Sequence, residues 1–414
     1  MILYNDSLQI LEEAARDYID SFVEEVALAQ SVERILAEDL RARENSPAFD
    51  NSAMDGFAVN TEAMATQINS TNDWIPVQAT IGAGDTDFKI EGLRDAVEIM
   101  TGAPIPDSYF DSVVRIEDVQ VEAGAQGKKL IKLKSKPVLG GNIRRAGADT
   151  REGDLLLSKG DRVSCKHLLV LASQGISRLK VKKPIKIGIL STGKEIVEYE
   201  TDELRFGQIR NSTGVYLEAA LANASCAVKN YGIVRDKQEL YIESVRRIFN
   251  EDVDILVSTG AVSMGAYDFV KPALKSIGAE IRFHKCAIRP GKPILFATIV
   301  HDSKTRFIFG VPGNPISTMV GLKFFIKPFI DLLLKGKPER PLIAVLATDT
   351  KKPEGLRCFY KAKVFSDGPE AEVESLKEQG SFMVKPLLKS NAWVVFPEEG
   401  TLVKRGTPVE VFSL

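Results

Sequence analysis

Asp50-Asn51-Ser52-Ala53-Met54-Asp55 sets two carboxylates, an amide and a hydroxyl around one apolar side chain, at the entrance to the apolar run Gly56-Phe57-Ala58-Val59. Asp50, Asn51 and Ser52 favour local bonds from side chain to backbone, and Asp55-Gly56 is a hairpin-type turn. A plain turn needs one such pair. The density of polar groups points to a polar site on a rigid turn; the stretch taken alone also suits an ordinary loop leading into a strand. Two further stretches have the same character. Thr101-Gly102-Ala103-Pro104 is a tight turn carrying a hydroxyl, and Asn142-Ile143-Arg144-Arg145-Ala146-Gly147-Ala148-Asp149 sets two arginines beside a carboxylate, as a site or as a structural ion pair.

A second group of residues suits an anion. Ser191-Thr192-Gly193-Lys194-Glu195 follows an apolar strand, and small hydroxylated residues at a strand's carboxyl end let backbone N–H groups face a phosphate. The stretch from Ser258 through Gly260, Ala261 and Ser263 to Asp268 repeats that pattern, as does Gly310 to Ser317, which contains Gly313 and Asn314. The Ser258 stretch lacks the Walker A lysine spacing, so a P-loop is excluded there. Each loop singly is also an ordinary strand-to-helix turn; three in one sheet suit a single crevice for a phosphate-bearing ligand. Glu195, Asp236 and Asp268 offer hard oxygen ligands to Mg²⁺, which takes few protein carboxylates beside water and phosphate. Asp236 by itself also suits a helix N-terminus. Lys285, Arg289 and Lys292 form a cationic stretch, stiffened by Pro290, Gly291 and Pro293, between two strands of the same sheet, where an anion docks. A charge run is otherwise a solvated face.

Composition narrows the chemistry. At 414 residues the chain exceeds one core, so three or four compact units are expected. A net charge of −2 leaves no global field to recruit nucleic acid, so an anion site must be built locally. Four scattered cysteines without a C-x-x-C fit a reducing, cytoplasmic setting and argue against a disulfide frame or structural zinc. The three histidines, His167, His284 and His301, are too dispersed for a nucleophilic triad, which leaves carboxylates and cations to carry the chemistry. Acids at Asp6, Glu12 and Glu13 argue against a signal peptide. The longest apolar run, Thr318 to Leu334, is interrupted by Lys323, Lys327 and Asp331 and reads as a core helix, not a membrane span.

The elements that must position these groups follow from periodicity. Residues 7–25 have helical spacing, and Ser31 to Leu40 reads as a second helix. Short β-like runs then follow: Ala96 to Met100, Val113 to Ile116 and Leu130 to Leu133. A strand at Leu155 precedes a helix from Lys166 to Ser173. From Lys182-Lys183-Pro184 the pattern alternates. Strands begin at Ile185, Val228, Asp254, Ile294 and Phe307. Helices follow after Asn211, at Lys237 to Phe249, at Phe269 to Ile277, and after Asn314 with Pro315 at its first position. This alternation predicts a mostly parallel, doubly wound sheet, with ligands beyond the carboxyl ends of its strands. Lys337-Pro338-Glu339-Arg340-Pro341 reads as a stiff linker to a small β domain.

Taken in order, these clusters resemble the molybdopterin molybdenumtransferase family, bacterial MoeA and the E domain of gephyrin. The resemblance spans nearly the whole chain and is carried by Phe49 to Gly56, Thr101 to Pro104, Asn142 to Asp149, Ser191 to Glu195, Arg235-Asp236, Ser263 to Asp268, Arg289 to Pro293 and Gly313 to Pro315. It implies an elongated homodimer of multidomain α/β and β subunits. An N-terminal helix (1–25) would pack with a connecting α+β domain (26–52 and 150–181) and the α/β region. A β-rich domain (53–149), a doubly wound molybdopterin-binding α/β domain (182–336), adenylyltransferase-like, and a C-terminal β domain (340–414) complete it. The active cleft would lie between the α/β domain and the partner subunit's β-rich domain. The implied reaction inserts molybdate into adenylylated molybdopterin and releases AMP with Mg²⁺. Molybdopterin adenylyltransferases and recipient molybdoenzymes are the implied partners, with neither nucleic acid nor membrane. Molybdenum enters through the resemblance alone.

By the same resemblance, Asp55, Thr101, Arg144 and Asp149 orient molybdate and polarise the attacked phosphate, with Glu195 also catalytic. Ser191, Thr192, Gly193, Gly260, Ser263, Gly313, Asn314 and Ser381 bind substrate, and Lys285, Arg289 and Lys292 form the anion wall. Glu195, Asp236 and Asp268 hold Mg²⁺. Three departures stand out: Ala261 where a second glycine is usual, Arg289 where lysine is common, and Lys361 where arginine is often found. The competing readings are a molybdopterin adenylyltransferase, against which stand Val262-Ser263 and the additional domains, and a non-catalytic scaffold like gephyrin's, against which stands the intact carboxylate set.

Overall fold

The apolar runs at Ile185, Ile255 and Phe307 are too continuous for strands with one wet face, and they lie at the centre of a sheet covered on both sides. The computed structural model describes residues 1–16, 23–67, 73–92, 94–106, 109–124, 127–223, 225–261, 269–334, 339–365 and 370–414. The chain divides into two compact units, one of residues 1–38, 159–165 and 178–414, the other of 39–158 and 166–177.

In the larger unit, six strands lie in the spatial order Cys226–Val234, Ile185–Thr192, Ile255–Thr259, Lys304–Val311, Leu295–His301 and Glu280–His284. The first four run parallel, Leu295–His301 runs antiparallel to both its neighbours, and Glu280–His284 at the edge returns to the direction of the first four. This is the expected mostly parallel sheet. Tyr241, Ile248, Leu256 and Ile308 pack on one face. Phe296, Phe307, Phe309 and Phe329 pack on the other, with ring centroids 4.8 Å apart for Phe296–Phe309 and for Phe307–Phe329. Asn211 caps the helix Ser212–Leu221 by accepting from Gly214 N–H. The helical run after Pro315 is continuous through Leu334, with a π turn at Leu322–Ile326.

Beyond it, Arg357–Phe365, Glu372–Ser375, Leu342–Leu346, Pro408–Ser413 and Ala392–Phe396 pair in a closed ring, a five-stranded barrel. Ile288–Arg289, from the loop before strand Leu295–His301, adds to the barrel strand Arg357–Phe365. Tyr4 of the N-terminal helix Tyr4–Arg16 stands edge-on to Phe325 and Phe359, joining helix, sheet and barrel in one core.

Two helical expectations are corrected. The first helix is described over Tyr4–Arg16, and Val23–Ala27, within the expected helix, is a strand paired with Arg178–Lys182; positions 17–22 lie outside the described residues. Ser31 to Leu40 is not helical. Glu33 adopts a left-handed φ of 65°, which ends any helix there. The N–H groups of Leu36 and Ala37 donate to Asp161 and Lys180, so distant backbone takes the bonds a helix would have made. Within the linker, Lys337 and Pro338 lie outside the described residues.

The smaller unit holds a second six-stranded sheet, in the order Ser112–Arg115, Gly56–Val59, Ala96–Ile99, Ile75–Ile81, Lys129–Leu133 and Val119–Ala123. Phe57, Val59, Ile75 and Ile131 fill one side of it. No helix among the described residues is long and apolar enough to cross a membrane.

Candidate functional site

In the smaller unit, backbone pairing joins the three polar stretches. Asn51–Ser52 runs antiparallel to Ile143–Arg144. Ser52 N–H donates to Ala103 O at 3.0 Å, and Gly102 N–H returns to Ser52 O at 2.8 Å. The Ser52 hydroxyl closes the next turn on Met54 O at 2.5 Å. Gly56 is obligatory, because a Cβ there would lie 2.1 Å from Val114 O. Asp55 is thereby presented to solvent, accepting from Thr101 N–H at 2.7 Å and from its hydroxyl at 2.8 Å. Those bonds, that from the Thr101 backbone first, hold its carboxyl below the usual range.

The ion pair here is Asp50–Arg145, at 2.6 Å, not a pair with Asp149. Ala146 N–H also donates to Asp50 at 2.8 Å, and with Arg145 lowers its pKa. Arg144 is exposed and makes no ion pair among the described residues. Asp149 is exposed, and its carboxylate accepts from the Thr150 hydroxyl at 3.3 Å. Asp55, Thr101, Arg144 and Asp149 thus belong to one cluster of loops. The buried Asn51 Oδ1, which finds no donor among the described residues, also belongs to it; the sequence placed this amide in the polar turn without giving it a role of its own.

In the larger unit the three glycine loops converge, because strands Ile185–Thr192, Ile255–Thr259 and Lys304–Val311 are parallel neighbours ending at one level. Thr192 Oγ1 donates to Thr259 O at 3.0 Å, and Gly260 N–H donates to Val311 O at 3.0 Å. Gly260 has φ +86°, and a Cβ on it would sit 2.4 Å from Thr192 O; a Cβ on Gly313 would lie 3.7 Å from Gly260 Cα. The side chains of Ser191 and Thr192 face inward: Ser191 Oγ accepts from Asn211 Nδ2 at 3.1 Å, and both residues are buried. Their hydroxyls build the loops and do not face a ligand.

Two carboxylates flank the Gly193 turn. Asp236 accepts from Lys194 N–H at 3.1 Å, and Glu195 Oε1 lies 3.1 Å from where a Gly193 Cβ would stand. Among the described residues no group of three His, Cys, Asp or Glu is placed to hold a metal. Asp268 and Ser263 lie outside the described residues. A pair of carboxylates at one phosphate-type loop matches the few protein ligands that Mg²⁺ takes.

Beside these loops lies a cleft of about 540 Å³, lined by Gly260, Ala261, Arg289, Lys292, Gly313, Asn314, Ser317 and the barrel loop 379–382. Arg289 and Lys292 are exposed and make no ion pair among the described residues, so their charge is available to an anion. Lys285 does not line the cleft; its backbone bonds to Ile2 and Ile294. Asn314 stands at the N-cap without a side-chain cap bond. The first-turn N–H of Ile316 is taken instead by a carbonyl from the barrel loop, that of Ser381, while the Thr318 hydroxyl donates to Pro312 O at 2.7 Å and ties the helix to the preceding loop. Ser381 reaches the cleft because its carbonyl accepts from Ile316 N–H at 3.0 Å. Lys361 does not reach it. That lysine is fully buried and donates to Met383 O at 3.0 Å and Gly380 O at 3.4 Å. Gln379 and Phe382 had not been singled out from sequence; only their neighbourhood to Ser381 marked them.

Comparison with known proteins shows the family of the chain. Residues 3–175 match the MoeA N-terminal region (domain I and II), residues 188–332 the family described as "Probable molybdopterin binding domain", and residues 344–414 the MoeA C-terminal region (domain IV). The molybdopterin molybdenumtransferase of Synechococcus elongatus is 38% identical over 95% of this chain and 94% of its own. That of Bacillus subtilis is 34% identical over 94% and 89% respectively. The crystal structure of the molybdopterin biosynthesis MoeA protein from Pyrococcus horikoshii covers 100% of both chains with a TM-score of 0.81 at 25% identity. The chain therefore belongs to the molybdopterin molybdenumtransferase family.

Proposed function

We propose that this transferase of molybdenum cofactor biosynthesis inserts molybdate into adenylylated molybdopterin and releases AMP. The observation that carries the reading is the convergence of the Gly193, Gly260 and Gly313 loops beside a cleft whose Arg289 and Lys292 carry uncompensated charge. A nucleotide–pterin diphosphate offers the phosphates that such loops and cations bind. Arg289 and Lys292 hold the anion, and the Gly260 and Gly313 backbones allow it close approach. Asp55, an exposed carboxylate fixed by Thr101, orients molybdate or water together with Asp149, while Arg144 balances developing negative charge. Glu195 and Asp236, with Asp268, would hold Mg²⁺, which supplies charge neutralisation at the phosphates when bound. Two copies of the chain form a homodimer in this reading.

The test is AMP release from adenylylated molybdopterin by the purified protein with Mg²⁺, with and without molybdate. Molybdate-dependent release supports the reading. Consumption of ATP against free molybdopterin would replace it with adenylyl transfer.

A further inference from the structure

A buried ammonium normally has a carboxylate partner, because taking a lone charge out of water is strongly unfavourable. Lys361, in the barrel strand Arg357–Phe365, is 0% exposed, and among the described residues no carboxylate lies within ion-pair distance of it. Its partners are the carbonyls of Gly380 and Met383, at 3.4 and 3.0 Å. The loop carrying those carbonyls has little regular structure of its own and is tied to the same lysine a second time. Gln379 Oε1 accepts from Lys361 N–H at 2.9 Å, and Gln379 Nε2 donates to Lys361 O at 2.9 Å and Leu376 O at 2.6 Å. On its other side Ser381 O takes the Ile316 N–H at the start of the helix that follows Gly313-Asn314. Between these anchors, Ser381 and Phe382 line the cleft that also holds Arg289 and Lys292, and Phe382 keeps 71% of its surface exposed.

We propose that Lys361 is a positioning residue. Its side chain, together with Gln379, fastens loop 379–383 so that Ser381 and Phe382 stand as a preformed wall of the anion cleft. A ligand then meets a wall already ordered, and the cost of ordering the loop is not charged against binding. The buried charge is what selects this role over plain packing. A methionine would fill the space without the desolvation cost, but it cannot draw two carbonyls to one point. The consequence for turnover rests on the proposed reaction; the loop geometry does not.

The test compares wild type with Lys361→Met, Lys361→Arg and Gln379→Leu. Two readouts are used: kcat/KM for molybdate-dependent AMP release, and the fluorescence anisotropy that Phe382→Trp adds in each background. The proposal expects Lys361→Met to keep its melting temperature while kcat/KM falls at least tenfold, mostly through KM, and the added anisotropy drops. Lys361→Arg, which can donate to both carbonyls, should recover at least half of the lost anisotropy. Unchanged anisotropy and kcat/KM in a folded Lys361→Met would overturn it. If Lys361→Met does not fold, Gln379→Leu decides by the same two readouts. Should wild type itself release no AMP, the proposed reaction fails while the anisotropy still judges the brace.

Discussion

At the scale of single residues, two positions show how conformation and charge prepare the chemistry. Two bonds from Thr101 fix the Asp55 carboxylate and lower its pKa further, and both groups are exposed, so neither is needed to fill a core. Asp55→Asn is therefore expected to leave the fold intact and to lower AMP release at least a hundredfold, measured beside a thermal melt. An unfolded product would make Asp55 a structural turn residue. Ala261 takes a left-handed φ of +48°, a region that costs a residue with a Cβ about 1 kcal/mol relative to glycine. Ala261→Gly should raise stability by up to about 1 kcal/mol in urea unfolding, less whatever its methyl contributes to the packing beside it. The departure from the family's glycine pair is thus a local strain at the edge of the cleft. Individual roles were less legible than residue types. Ser191 and Thr192 carry the hydroxyls expected to face a ligand, yet the nearest acceptors and donors are Thr259 and Asn211 inside the fold.

At the scale of elements, the α/β half was readable because each signal was local. Asn211 before a helix, Pro315 at a first turn, and apolar strands bounded by glycine all reappear. What escaped was decided over long distances. The segment 31–40 has helix-compatible residues, but Leu36 and Ala37 find partners at Asp161 and Lys180, more than a hundred positions away. The wall of the cleft was hidden for the same reason, since loop 379–383 is held by Lys361 and Ile316 and not by any local pattern. Close packing of the three loops yields a direct prediction. Gly260→Ala would put a methyl 2.4 Å from Thr192 O at φ +86°, and it should cost about 3 kcal/mol or more in stability and empty the anion site. Retained AMP binding by calorimetry would contradict the proposed convergence on one ligand.

The last helix makes a second prediction. Burial raises the Asp331 carboxyl to about 6, against the pull of Arg162 at 3.5 Å. Between about pH 4 and 6 the folded chain then holds more protons there than the unfolded chain, so stability falls as pH rises through that window. The effect should be about 1–2 kcal/mol after allowance for partial solvent screening. Asp331→Asn should remove this component, seen as the difference between the two urea-unfolding profiles from pH 4 to 6.5.

At the scale of the whole molecule, the larger unit is not a row of separable domains. Tyr4, Phe324, Phe359 and Trp393 come from the N-terminal helix, the last helix of the sheet and the barrel, and they share one core. Phe324 and Phe359 stack at 4.1 Å, and the strand pairing of Ile288–Arg289 with Arg357–Cys358 fixes the cationic loop to the barrel. Removing residues 340–414 is expected to expose that core and abolish the larger unit's cooperative unfolding by calorimetry, where a freestanding α/β domain would retain it. The barrel is thus part of what builds the cleft, which is consistent with a substrate that meets loops from both.

The central claim is tested most directly by AMP release from adenylylated molybdopterin in the presence of Mg²⁺, with molybdate varied. The account predicts release that rises with molybdate and falls sharply in Asp55→Asn. Release indifferent to molybdate, or none from a folded wild-type protein, would contradict it.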